Sequence, residues 1–151
     1  MPADAIGWSE SDGPGTIGHA TVSGGVFTVT QGPEANAEPA FELVAGFRPC
    51  FPRARVSRVP DPEYRIRVRA RGRFRSVTGY GRAAGRGTDW LTHNRCDGTT
   101  FKVYEGIVHV RDFRRQLTVR LTAGRCYLAA ARHRRDALRP ARTCPRVRAP
   151  R

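Results

Sequence analysis

Arg65-Ile66-Arg67-Val68-Arg69-Ala70-Arg71-Gly72-Arg73-Phe74-Arg75 is the stretch that decides the fold. Arginine takes every odd position, and an apolar or small residue takes every even one. Side chains on a β-strand alternate between faces, so this pattern describes a strand with one wet and one buried face. A helix would scatter both classes around its cylinder. Gly72 interrupts the apolar series and is expected to mark a bulge or bend.

Downstream, Gly79, Gly81, Gly85 and Gly87 are read as a break, and Trp90-Leu91-Thr92 resumes the pattern. Asn94-Arg95-Cys96-Asp97-Gly98 reads as a turn, with Asp-Gly the hairpin signal. From Thr99 to Glu105, Phe101 and Val103 face one way and Lys102 and Tyr104 the other. Gly106 separates this run from Ile107 to Asp112, where Val108 and Val110 alternate with His109 and Arg111. After a polar turn at Phe113-Arg114-Arg115-Gln116, Leu117, Val119 and Leu121 alternate with Thr118, Arg120 and Thr122. Ala123-Gly124 leads into a last short strand, Arg125 to Leu128. The expected fold is all-β, an antiparallel meander forming a small roll or sandwich. Its expected core is residues 66–74 at even positions with Phe101, Val103, Val108, Val110, Leu117, Val119 and Leu121.

Upstream the signals are weaker. Residues 1–19 read as an irregular N-terminal segment. Residues 20–130 form the β domain, with a tight turn at Val22 to Val26, a β-rich run to Thr30 and a short strand at Phe41 to Val44. Residues 48–64 contain Pro49, Pro52, Pro60 and Pro62 and read as an extended connector. Residues 131–151 are an Arg-rich tail, disordered or weakly helical, with a helical turn possible over Ala129 to Leu138.

The net charge is +14, and it is unevenly placed. Residues 1–47 hold six acids and no Lys or Arg, so all 27 basic groups lie beyond them; only Lys102 is a lysine. An arginine excess alongside abundant Ala, Gly and Pro suits a GC-rich coding sequence, which lowers its weight as a functional sign. A basic domain still attracts polyanions. No apolar run approaches the roughly 18 residues of a membrane helix, so no membrane span is expected. The start, Pro2-Ala3-Asp4-Ala5-Ile6, has neither the basic nor the apolar region of a signal peptide. An exported protein would then carry this chain as a module of something longer.

Cys50, Cys96, Cys126 and Cys144 include no C-x-x-C pair, which argues against zinc. An even number of widely spaced cysteines in a small chain suits two disulfides in an oxidising compartment. Four free thiols in a cytosolic protein is the other reading.

Residues 86–124 resemble a FecR domain. The resemblance rests on Arg86-Gly87-Thr88, Asp97-Gly98-Thr99-Thr100, Glu105-Gly106 with Val108 and Val110, and Val119-Arg120-Leu121-Thr122-Ala123-Gly124. Gly24-Gly25-Val26-Phe27, Gly72-Arg73-Phe74-Arg75, Trp90-Leu91-Thr92, Arg95-Cys96-Asp97-Gly98-Thr99, Val110 to Arg115 and Tyr127-Leu128-Ala129 extend it over about residues 20–130. They resemble the FecR-like variant of large secreted actinobacterial surface proteins. The resemblance implies a β-rich, extracytoplasmic domain and brings no catalytic residues. The family's signalling role is not carried over. With Cys96 in a turn of the resembled motif, Cys50–Cys96 and Cys126–Cys144 is the simplest of three disulfide connectivities.

The arginines at 65, 67, 69, 71, 73 and 75 are the candidate binding residues. Alternate ones stand about 6.6 Å apart along a strand, a row that can grip an acidic wall polymer, glycan or nucleic acid. Two other readings stand beside it: a solvated face that resists edge pairing, and internal neutralisation by Glu34, Glu38 and Glu42. His19, His93, His109 and His133 form no ligand pair, and no cofactor or metal is expected. Asp89 and Asp97 read as turn-flanking caps. Trp90, Tyr104 and Tyr127 read as packing residues rather than stacking platforms. Two functions are therefore expected. One is a non-catalytic, extracellular or cell-surface structural or adhesive module, monomeric, with anionic wall or glycan polymers as candidate partners. The other is an arginine-rich polyanion (nucleic-acid) binding protein. The state of the cysteines discriminates between them.

Overall fold

The computed structural model of the chain describes residues 6–11, 17–25, 27–31, 38–43, 65–95, 98–131 and 140–144. The expectations for the 48–64 connector, Cys50, Cys96, Asp97 and His133 lie outside these residues.

The described chain is all-β. Its strands are β1 (Ile6–Ser11), β2 (Ile17–Gly24), β3 (Thr28–Thr30), β4 (Ala40–Glu42), β5 (Arg65–Val77), β6 (Gly81–Arg95), β7 (Gly98–Glu105), β8 (Ile107–Asp112), β9 (Leu117–Thr122) and β10 (Cys126–Ala130). Three expectations change. The N-terminal segment read as irregular contains β1, which pairs antiparallel with β2. The glycine-rich stretch is no break, because β6 runs through Gly81, Gly85 and Gly87 for 15 residues. One pairing, β4 with β5, is parallel.

The β5–β6 hairpin is the spine. The first part of β5 pairs with β2 through residues 66–71, and its last part pairs with β4 through residues 75–77. β6 divides the same way, with β7 beside residues 89–95 and β8 beside residues 81–85. One layer therefore runs β1-β2-β5-β6-β7-β10 and the other β3-β4-β5-β6-β8-β9. A register shift between Ala70 and Arg73 separates the two halves of β5. Gly72 stands there at φ 98°, a left-handed conformation that side chains resist. A second shift, beside Asp89, separates the two halves of β6.

The layers enclose one apolar cluster. Ile66, Val68, Trp90, Phe101 and Tyr127 come from the first layer, and Phe41, Phe74, Val108, Val110 and Leu121 from the second. Leu117 and Val119 are only half-buried, because β9 is an edge strand. Buried hydroxyls tie the layers together. Trp90 Nε1 donates to Ser76 Oγ at 2.9 Å, Ser76 Oγ meets Thr92 Oγ1 at 2.6 Å, and Thr78 Oγ1 meets Thr99 Oγ1 at 2.6 Å. A buried polar group needs such a partner to offset its lost hydration.

The expected Cys126–Cys144 disulfide is present. Cys126 and Ala141 also exchange backbone hydrogen bonds of 2.7 and 2.8 Å. Residues 140–144 are thus tied to the edge of β10, and the helical turn expected from Ala129 does not begin there, since Ala129 and Ala130 belong to β10. Residues 132–139 and 145–151 lie outside the described part.

Candidate functional site

The structure splits the six-arginine row at Gly72. Arg65, Arg67, Arg69 and Arg71 project from the outer face of the first layer, and Arg73 and Arg75 from that of the second.

Two arginines of the first group, Arg67 and Arg69, share one carboxylate within the fold. The β5–β6 register sets Asp89 opposite Arg69 and diagonal to Arg67. Arg67 Nε donates to Asp89 Oδ1 at 2.9 Å and Arg67 Nη2 to Oδ2 at 2.8 Å, a bidentate pair. Arg69 Nε adds a bond to Oδ2 at 3.1 Å. The shift beside Asp89 also presents Tyr104, and the Arg67 guanidinium lies 4.2 Å from its ring centroid. Lys102 Nζ is 5.2 Å from the same ring. The Asp89 hydrogen bond raises Arg67 above its ordinary value, against the pull of burial. Burial alone would push the Asp89 carboxyl up; the hydrogen bond from Arg67 and the charges of Arg67 and Arg69 together hold it below the ordinary range.

Asp89 is therefore not a turn cap but a buried strand residue that anchors two arginines. Internal neutralisation does occur, from a different source than expected. Glu42 accepts a hydrogen bond from Thr30 Oγ1 at 3.1 Å. Among the described residues neither Glu38 nor Glu42 pairs with an arginine of the row; Glu34 lies outside them. Beside Asp89 a cleft of about 610 Å³ is lined by Arg69, Arg71, Thr21, Thr88, Asp89 and Glu105 among others. Its two cations face two anions, so it favours no single sign of ligand charge.

The second layer is different. Its outer face carries Arg73 and Arg75 from β5, Arg82 and Arg86 from β6, Arg111 from β8 and Arg120 from β9. Arg73 stands directly opposite Arg86, and Arg82 directly opposite Arg111. Arg120 stands opposite His109, which is exposed as the sequence suggested. Arg73, Arg82, Arg86 and Arg120 are exposed, and Arg111 is half-exposed with one hydrogen bond, to Gln116 Oε1 at 3.3 Å. Among the described residues none of these five makes an ion pair. The sequence reading missed Arg82, Arg86, Arg111 and Arg120 as a group. The four-residue spacing of Arg82 and Arg86 was a usable signal, hidden because the glycines around them read as a break.

The remaining candidates are structural. Trp90 is fully buried, Tyr127 likewise, and Tyr104, 39% exposed, is engaged by Arg67. Among the described residues no trio of His, Cys, Asp or Glu is placed to hold a metal ion. No helix among them is long and apolar enough to cross a membrane. No protein-family model, curated protein or solved structure matches the chain.

Proposed function

We propose that this chain is a non-catalytic structural or adhesive module of a secreted or cell-surface protein, with the FecR-like character that its motifs suggest. The observation that carries the proposal is the Cys126–Cys144 disulfide, which closes an 18-residue interval and ties residues 140–144 to the edge of the first layer. Disulfides of this structural kind belong to oxidising compartments. The buried ionisable groups Asp89, Asp112 and Tyr127 support the non-catalytic part, because all three are engaged in partners within the fold. The test is a thiol count on protein recovered from its native host under alkylating conditions. Oxidised Cys126 and Cys144 are expected; free thiols at both positions would sink the reading in favour of a cytosolic protein.

The second reading, polyanion binding through arginine, is favoured by one observation: arginines of the second layer that make no ion pair among the described residues. It is compatible with the first, since an adhesive module needs something to adhere to.

A further inference from the structure

We infer that the outer face of the second layer, centred on the cross-strand pairs Arg73–Arg86 and Arg82–Arg111, is a binding surface for a linear phosphodiester polymer of the cell wall. The inference rests on the extracytoplasmic reading above.

Like charges set directly opposite one another in a sheet destabilise it. The fold carries two such pairs along β6, one with β5 and one with β8, although the same strand shows how a single acid, Asp89, relieves the repulsion between Arg67 and Arg69. Retained repulsion of this kind is relieved when an anion arrives. The geometry suits a repeating one. Strands lie about 4.8 Å apart and alternate residues about 6.6 Å apart, so the two pairs are about 13 Å apart along β6, with Arg120 on the edge strand β9. A sheet holds this array in place before binding, so little ordering cost remains. Each guanidinium offers a planar fork that matches phosphate oxygens.

The chemistry also selects among polyanions. No Trp, Tyr or Phe stands among the outward-facing strand residues of this face, where Thr118 and Thr122 accompany the arginines and His109. Sugar rings and unpaired bases are recognised by stacking on such rings. Strand positions without them read backbone charge, which a phosphodiester chain carries at every repeat; the exposed Phe113 lies off them, in the turn after β8. The disulfide sets the meeting place outside the cytosol, which favours wall polymer over nucleic acid.

The test uses the full chain with its Cys126–Cys144 disulfide intact, titrated with poly(glycerol phosphate), polygalacturonate and duplex DNA at about 50 and about 200 mM salt. Binding to poly(glycerol phosphate) is expected at the lower salt, with a steep loss at the higher. R82S/R111S and R73S/R86S should each weaken it about tenfold, and each should flatten the dependence of log affinity on log salt by about 1.5 units. The control R71S/R142S removes the same charge elsewhere and should change affinity less than about twofold. R73S/R86S should also melt no lower than the parent, because a repulsive pair has gone. An equal loss in the control would overturn the inference in favour of diffuse charge. Tighter binding to polygalacturonate or DNA would overturn the choice of polymer. Absence of binding at low salt would overturn the surface itself while leaving the disulfide-based reading standing, since that reading fails only on free thiols.

Discussion

The Tyr127 hydroxyl donates to Asp112 Oδ2 at 2.8 Å and so joins β10 of one layer to the last residue of β8 in the other. Asp112 also accepts from the backbone N–H groups of Arg114 and Arg115 at 3.1 and 3.0 Å, and from Arg115 Nη1 at 3.0 Å. Arg115 Nη1 reaches on to the Ala130 carbonyl at 3.2 Å. Burial, then the Asp112 hydrogen bond and charge, push the Tyr127 phenol up, so it remains a donor at any ordinary pH. Tyr127→Phe should cost about 1.5–3 kcal/mol, the worth of one charge-assisted bond. Asp112→Ala should cost about 3–5 kcal/mol, because it strands a guanidinium that is only 2% exposed. Urea denaturation with an unchanged m-value checks both. A Tyr127→Phe cost as large as that of Asp112→Ala would show that the carboxylate is not the centre of the cluster.

Asp89 makes the fold acid-sensitive in a defined direction. Its folded value lies below the unfolded one, so the folded state binds fewer protons between the two. The stabilisation is complete above about pH 4, the unfolded value, and is lost as pH falls toward the depressed folded value. Asp89→Asn should lower stability at neutral pH by about 1–2 kcal/mol, since Arg67 and Arg69 retain access to water. It should also flatten the pH dependence of the melting temperature below pH 4. An unchanged slope there would assign the acid sensitivity elsewhere.

The Cys126–Cys144 bond should contribute about 3 kcal/mol by restricting the unfolded chain. Cys126→Ser with Cys144→Ser is expected to lower the melting temperature by roughly 6–12 °C. Reductant should then lower the parent further than the double variant. Parent and variant melting together without reductant would show that the backbone pairing with Ala141 suffices.

Much of this architecture was legible because period-two alternation reports directly on which face is buried. Val108 and Val110 lie inside and His109 outside, as Phe101 and Val103 lie inside and Tyr104 outside. Gly72 announced its bulge. Gly81 and Gly85 misled because glycine in a strand marks close approach as often as a turn. A Cβ at Gly81 would stand 2.7 Å from the Arg111 carbonyl oxygen, and one at Gly85 would collide with the Thr88 hydroxyl. β1 was hidden because Gly7-Trp8-Ser9-Glu10 does not alternate. The role of Asp89 was out of reach for a different reason. It lies 20 and 22 residues from its arginines, and only the hairpin register brings them together. The basic face is likewise a product of register, assembled from four strands that each carry one or two of its arginines.

The division of both β5 and β6 between two layers also bears on how the chain folds. Contacts within that hairpin span a three-residue turn, Thr78-Gly79-Tyr80, so they close with little loss of loop entropy and on a microsecond timescale. Every neighbour added afterwards, β2 and β4 on one side and β7 and β8 on the other, docks onto an edge whose register is already set. The hairpin is therefore expected to act as the nucleus for both layers at once. Truncations such as Val68→Ala and Ala83→Gly within it should slow folding, whereas Leu121→Ala in β9 should chiefly speed unfolding. Chevron measurements that found the reverse order would shift the nucleus to the β8–β9 edge.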